Sequence, residues 1–82
     1  MFYLLLSRSL TYAQRSARLL ERKGIGASLM KAPPEAATNG CAYALRIAPR
    51  HFDTALSLLR GGGLEPKRVF KMEGGELREI VL

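Results

Sequence analysis

One cysteine and the loop before it carry the most suggestive chemistry in this sequence. Cys41 follows a turn-rich segment, residues 33–40, and begins an apolar run of alternating pattern. Loops of this composition lie at the surface on rigid flanks, which is where functional residues are often found. A thiol at such a junction is able to act as a nucleophile or to carry sulfur. The competing interpretation, and the commoner one for a lone thiol, is that Cys41 is a small, inert, buried hydrophobe.

Length and composition predict one soluble globular domain. The chain has 82 residues, of which 48% are hydrophobic and 24% charged, as in soluble globular proteins. We expect a single domain over residues 1–82, with residues 73–82 as a terminal hairpin or tail. One cysteine and one histidine form neither an intrachain disulfide nor a structural zinc site, so we expect no metal and no cofactor. The short apolar run at the start is neither a signal peptide nor a membrane span, which predicts a cytoplasmic protein.

The basic charge suggests an anionic partner without identifying it. The formal net charge is +6, but the basic residues are spread along the chain. Their nearest approach to a cluster, Arg15 to Lys23, fits the solvated face of an amphipathic helix. Tyr3 and Tyr43 lie on predicted strands, as the base-stacking aromatics of RNA-recognition sheets do, but the accompanying basic-Gly-aromatic pattern is missing. We therefore do not expect a nucleic-acid partner.

The order of apolar patterns predicts a ferredoxin-like βαββαβ sandwich, with an antiparallel sheet and both helices on one face. Right-handed crossovers then place the first and third strands side by side in the centre. The predicted strands are Met1–Ser7, Ile25–Lys31, Cys41–Ala48 and Pro66–Met72, the last at an edge of the sheet, and the helices run from about Ser9 to Lys23 and from Pro49 to the glycines at 61–63. Residues 77–82 either pair back as an extra strand or fray.

This topology predicts a site around the thiol. The first strand ends where the third begins, so Cys41 should lie beside Arg8, Ser9 and Thr11 at the N-terminus of the first helix. Unpaired backbone N–H groups and the helix dipole favour an anion there, and therefore a thiolate. The loop residues Asn39 and Gly40 complete this predicted anion- or partner-binding site. His51 should lie at the opposite edge, out of reach of the thiol, so we expect no independent enzymatic activity.

Several of these segments together resemble a family of small selenium/sulfur carrier-like proteins of unknown function. The matching segments span about residues 2–72 and are Tyr3-Leu4-Leu5, Thr11-Tyr12-Ala13, Leu19-Leu20, Gly24-Ile25, the proline-containing loop, Cys41 and Ala44-Leu45-Arg46. The resemblance implies that Cys41 bears the chalcogen and that Thr11 faces it. Two positions depart from the family pattern, because Glu35 stands where an arginine follows the loop prolines and Ala42 where a glycine follows the cysteine. The missing arginine leaves open that the fold is kept without the carrier activity.

Two kinds of partner follow from these hypotheses. A carrier needs a donor enzyme that supplies persulfide or selenide. The alternative function is a non-catalytic binding or oligomerisation module, because an uncovered apolar sheet face usually marks an interface. We expect that face to contain Tyr3, Leu5, Ala42 and Ala44, and to bind a second copy or another protein.

Overall fold

The computed structural model of the chain describes residues 1–37 and 42–81. Within them, five strands and two α-helices follow the predicted α+β order. They are β1 (Phe2–Ser7), α1 (Leu10–Arg22), β2 (Ser28–Lys31), β3 (Tyr43–Ile47), α2 (Phe52–Gly61), β4 (Arg68–Glu73) and β5 (Glu76–Ile80), with a 3₁₀ turn at Pro49–His51 before α2. The C-terminal segment therefore pairs back as a strand.

The five strands form one antiparallel sheet in the order β2-β3-β1-β4-β5. β1 and β3 are adjacent, as predicted, with Tyr3 opposite Ile47 and Ser7 opposite Tyr43. The first four strands thus have the order of a ferredoxin-like sandwich, to which β5 is added beyond β4.

The end of α1 sets the start of β2. Gly24 has a φ of 79°, which a glycine adopts without steric cost. This turn lets Gly24 N–H donate to Glu21 O at 3.0 Å and Ile25 N–H to Leu20 O at 2.9 Å, closing the helix in a Schellman motif. Ile25 is thereby buried in the core, and β2 begins at Ser28, three residues later than the pattern predicted.

The main core lies between the sheet and the helices. The side of the sheet that packs against them, here called the helix face, includes Leu45 and Ile47, as predicted for the larger residues of β3. The buried members of this core are Leu5, Leu20, Ile25, Leu45, Ile47, Ala55, Leu56, Leu59 and Val69. Burial of these aliphatic side chains supplies most of the driving force for folding.

The opposite side of the sheet differs from the prediction. Tyr3 and Leu5 belong to the helix face, where the Tyr3 ring stacks on Phe52 with centroids 3.8 Å apart, so assigning them to the uncovered face was wrong. Ala44 does lie on the uncovered side, whereas Ala42 is exposed and precedes β3. We call this side the open face, and Ala36, in the loop after β2, packs on it. The open face comprises Phe2, Leu4, Leu6, Met30, Ala32, Ala44, Phe70 and Leu77.

β4 is an interior strand, which corrects its predicted position at an edge. It pairs with β1 on one side and β5 on the other. Gly74 and Gly75, with φ of 60° and 80°, form the two-residue turn between β4 and β5. Positive φ at both central residues matches the twist of a tight hairpin and explains the glycine pair.

Candidate functional site

The part of the predicted site that the structure describes lies at the N-terminus of α1. Ser9 is the N-cap residue, and its Oγ accepts a hydrogen bond from Tyr12 N–H at 3.2 Å. The first turn contains no acidic residue, so no side-chain charge there offsets the positive end of the helix dipole. The Ser9 hydroxyl still has its own proton to donate. This end of α1 therefore favours an anion placed beside it.

Arg8 and Thr11 flank the cap. Both are exposed, and the Arg8 guanidinium lies 4.8 Å from the centroid of the Tyr12 ring. This cation–π contact holds the arginine next to the helix start. Of the predicted site residues, the structure therefore brings Arg8, Ser9 and Thr11 together.

The other predicted site residues, Asn39, Gly40 and Cys41, lie outside the described residues. The chain before them ends in a turn where Pro33 O accepts from the N–H groups of Ala36 and Ala37, both at 2.9 Å. The chain after them resumes at Ala42, whose carbonyl accepts from Ala32 N–H at 2.8 Å. Two residues beyond the cysteine, Tyr43 pairs with Ser7 at the end of β1. The start of β3 and the start of α1 thus lie at the same edge of the sheet.

His51 lies away from this edge. It ends the 3₁₀ turn that follows β3, and therefore lies beyond the end of β3 opposite to Tyr43. It precedes α2 without making a side-chain capping hydrogen bond. No group of three or more metal-ligating side chains occurs among residues 1–37 and 42–81. Over the same residues, no helix is long and apolar enough to cross a membrane.

Two arginines lie over the open face, a feature that the sequence reasoning missed. The Arg46 guanidinium is 4.1 Å from the Phe2 ring centroid, and that of Arg68 is 4.8 Å from the Phe70 centroid. Arg46 of β3 lies opposite Leu4 and is the diagonal cross-strand neighbour of Phe2. Arg68 and Phe70 are two residues apart on β4 and therefore share a face of the sheet. The available signal was a single arginine beside apolar residues in each strand, Arg46 in β3 and Arg68 in β4. The guanidinium groups and the buried Ala36 cover part of the apolar surface.

Arg68 also fixes the outer strand. Its Nε and one terminal nitrogen donate to the two carboxylate oxygens of Glu79 at 2.9 and 2.8 Å, the bidentate geometry that makes such pairs strong. The hydrogen bond from Arg68 lowers the pKa of Glu79 below its ordinary value. A further contact of 3.5 Å joins Arg68 to the carbonyl of Ala36. β5 and the loop after β2 are thus tied to the same side chain of β4.

The fold and the described edge define a small α+β protein with ferredoxin-like strand order, in which the cap of α1 and the start of β3 meet. The chain belongs to the family described as "Putative Se/S carrier protein-like", whose model matches residues 2–71. No significant match was found among curated proteins or solved structures.

Proposed function

We propose that this protein is a carrier of sulfur or selenium that works through the thiol of Cys41 together with partner enzymes. The family match over residues 2–71 supports the class of function. The observation that carries the proposal is the pairing of Ser7 with Tyr43, because it brings the strand that follows Cys41 to the capped start of α1. The sequence contains one cysteine, so a single thiol carries the cargo.

The chemistry at this thiol is an exchange between sulfur atoms. The Cys41 thiolate attacks the outer sulfur of a persulfide on the donor, and a new S–S bond forms at Cys41. The donor's own S–S bond breaks, and its electron pair leaves with the donor thiolate, so no external oxidant or reductant is consumed. A selenium atom bound to a donor thiol would be transferred in the same way. The acceptor enzyme then removes the outer atom by the same exchange.

The helix start favours the reactive form of this thiol. A thiolate beside a helix N-terminus is stabilised by the dipole, by a hydroxyl donor such as Ser9 or Thr11, and by a nearby cation such as Arg8. We therefore expect the pKa of Cys41 to lie below the ordinary value of about 8.5. An alkylation-rate profile against pH measures it directly. Arg8→Gln should raise that pKa. Arg50→Gln is the matched control, because Arg50 is also exposed but follows β3.

Intact-mass spectrometry tests the transfer itself. The reduced protein is incubated with glutathione persulfide beside a Cys41→Ala variant. The proposal predicts an added mass of one sulfur atom in the parent protein and none in the variant, and release of that atom by a thiol reductant. No adduct, together with slow alkylation of Cys41 across the pH range, would make the cysteine structural and overturn the proposal.

The open face supports a second candidate, a binding module that associates with a second copy of the chain. Phe2, Met30 and Leu77 are only partly buried there, so the face presents apolar surface despite the covering arginines. Leu77→Lys should then dissociate a dimer in sedimentation at micromolar concentration. Arg78→Glu, at the next and exposed position of β5, should leave it intact. A parent protein that sediments as a monomer would refute this candidate.

A further inference from the structure

A groove on the outer side of α1 combines a basic rim with an apolar floor. Its volume is about 560 Å³, and it lies between α1 and the segment that follows α2. Arg15, Arg18 and Arg22 line it together with Leu19 and Leu64. The three arginines are spaced i, i+3 and i+7, so they form one row on the helix surface. They lie about 10 Å apart from first to last along the axis, from the rise per residue.

A glycine at the end of α2 shapes the floor. A Cβ built on Gly62 would lie 2.9 Å from Leu19 Cδ2, closer than real Cβ contacts, so the missing side chain allows α2 to end against α1. Leu64 N–H then donates to Leu59 O at 2.8 Å, which returns the chain beside Leu19. The groove is therefore built by specific residues of both helices and the connection after α2.

Among the described residues, the groove lining contains three arginines and a single carboxylate, that of Glu21. Among residues 1–37 and 42–81, none of the three groove arginines forms an ion pair with an acidic side chain. Elsewhere, pairs do form, for example between Arg60 and Glu65 at 2.6 Å. Glu21 lies in the lining but is likewise unpaired within the described residues. Three guanidinium groups therefore face solvent over an apolar floor, in a chain whose net charge is +6.

We propose that this groove binds an acidic, amphipathic helix of a partner protein. Carboxylates at i, i+3 and i+7 of such a helix repeat at the same one-turn spacing as the three arginines, and each guanidinium can hold a carboxylate through two hydrogen bonds. An apolar side chain on the same face of the partner helix would contact Leu19 and Leu64. This inference goes beyond the carrier proposal, because it makes no use of Cys41.

The lining favours a protein over a nucleic acid. Among the described residues, the groove lining contains no aromatic ring on which a base could stack. A phosphate chain also offers no apolar group to contact the floor of the groove, whereas a leucine of a helix does. Charge complementarity and the mixed surface together identify the occupant as an acidic amphipathic helix.

Fluorescence anisotropy with a labelled peptide tests this proposal. The probe is a short helical peptide with glutamates at i, i+3 and i+7 and a leucine on the same face, beside a peptide with glutamine at those positions. Each is titrated with the full chain and with Arg18→Glu and Arg50→Glu, which change the charge equally at exposed positions inside and outside the groove. Oligothymidylate serves as the nucleic-acid probe.

The parent protein should bind the acidic peptide. Its affinity for the glutamine peptide should be about tenfold weaker, and the affinity of Arg18→Glu for the acidic peptide should also be about tenfold weaker than that of the parent. Arg50→Glu should stay within about twofold of the parent, because it alters only the long-range field. Cys41→Ala should bind as the parent does, which separates this proposal from the carrier function. Equal losses in the two charge variants, absence of binding, or a groove that binds oligothymidylate in place of the peptide would each overturn it.

Discussion

The cap of α1 gives the most direct test of how this edge of the fold is stabilised. Ser9 Oγ accepts from Tyr12 N–H at 3.2 Å, and Tyr12 occupies the position where a capping box would place a glutamate or glutamine. No side chain of the first turn therefore reinforces the cap. Ser9→Ala removes this acceptor and leaves the Tyr12 N–H to water.

The size of the effect follows from the geometry. N-cap serine to alanine costs about 0.5–2 kcal/mol, and a hydrogen bond of 3.2 Å at a partly buried site belongs to the lower half of that range. We expect a loss of about 0.5–1 kcal/mol, which lowers Tm by about 2–8 °C in a domain of this length. Thermal unfolding followed by circular dichroism measures it.

Two variants control this measurement. Ser9→Asp keeps an acceptor and adds a charge that the helix dipole favours, so its Tm should equal or exceed that of the parent. Thr11→Ala removes a neighbouring exposed hydroxyl that forms no hydrogen bond with another described residue, and should not lower Tm. If Ser9→Ala and Thr11→Ala unfold at the same temperature as the parent, the cap contributes nothing and the reasoning is refuted.

Three further predictions concern the core, an ion pair and a turn. Leu45→Ala, at a fully buried position of β3, should cost about 2–5 kcal/mol in urea unfolding, and a loss below about 1 kcal/mol would contradict the packing described. Arg68 lowers the pKa of Glu79, so the ion pair stabilises the fold above the ordinary pKa of 4.5. That contribution is lost as the pH falls through the lowered pKa. Glu79→Gln should flatten this part of the curve of stability against pH, and an unchanged curve would contradict the prediction. Gly75→Ala, at a φ of 80°, should destabilise the hairpin by about 1–2 kcal/mol, whereas Gly26→Ala, in open space, should change stability by less than about 1 kcal/mol.

The sequence was sufficient to predict the element order and, to within about three residues, the bounds of the elements. Gly24 predicted the stop of α1 because its backbone requirement is local. The order of strands and helices then restricted the topology to few arrangements. Glu76–Ile80 pair back as β5 because the glycine turn and the apolar residues after it act together, although the pattern had left fraying open.

Which side chains of β1 pack against the helices could not be predicted from its residues. Leu4, Leu5 and Leu6 are all buried, so β1 has no polar set to mark one side. Period-two alternation separates its two faces but does not say which one meets the helices. The same limit hid the Arg46–Phe2 contact, because a cross-strand contact depends on register. Arg68 and Phe70 share a face of β4, but which face of the sheet they occupy could not be predicted. Likewise, β4 was predicted at an edge from its basic residues, whereas Arg68 pairs with Glu79 of β5.

The two proposals make different demands on one helix, and the cap variant separates them. Ser9→Ala should loosen the first turn of α1, where the dipole acts, and so raise the pKa of Cys41 in the alkylation profile. The groove begins at Arg15, about 9 Å further along the axis, beyond the reach of fraying at the cap. Peptide affinity in Ser9→Ala should therefore match the parent. If the variant weakens peptide binding as much as Arg18→Glu does, α1 responds as a single unit, and the thiol edge and the groove are not independent sites.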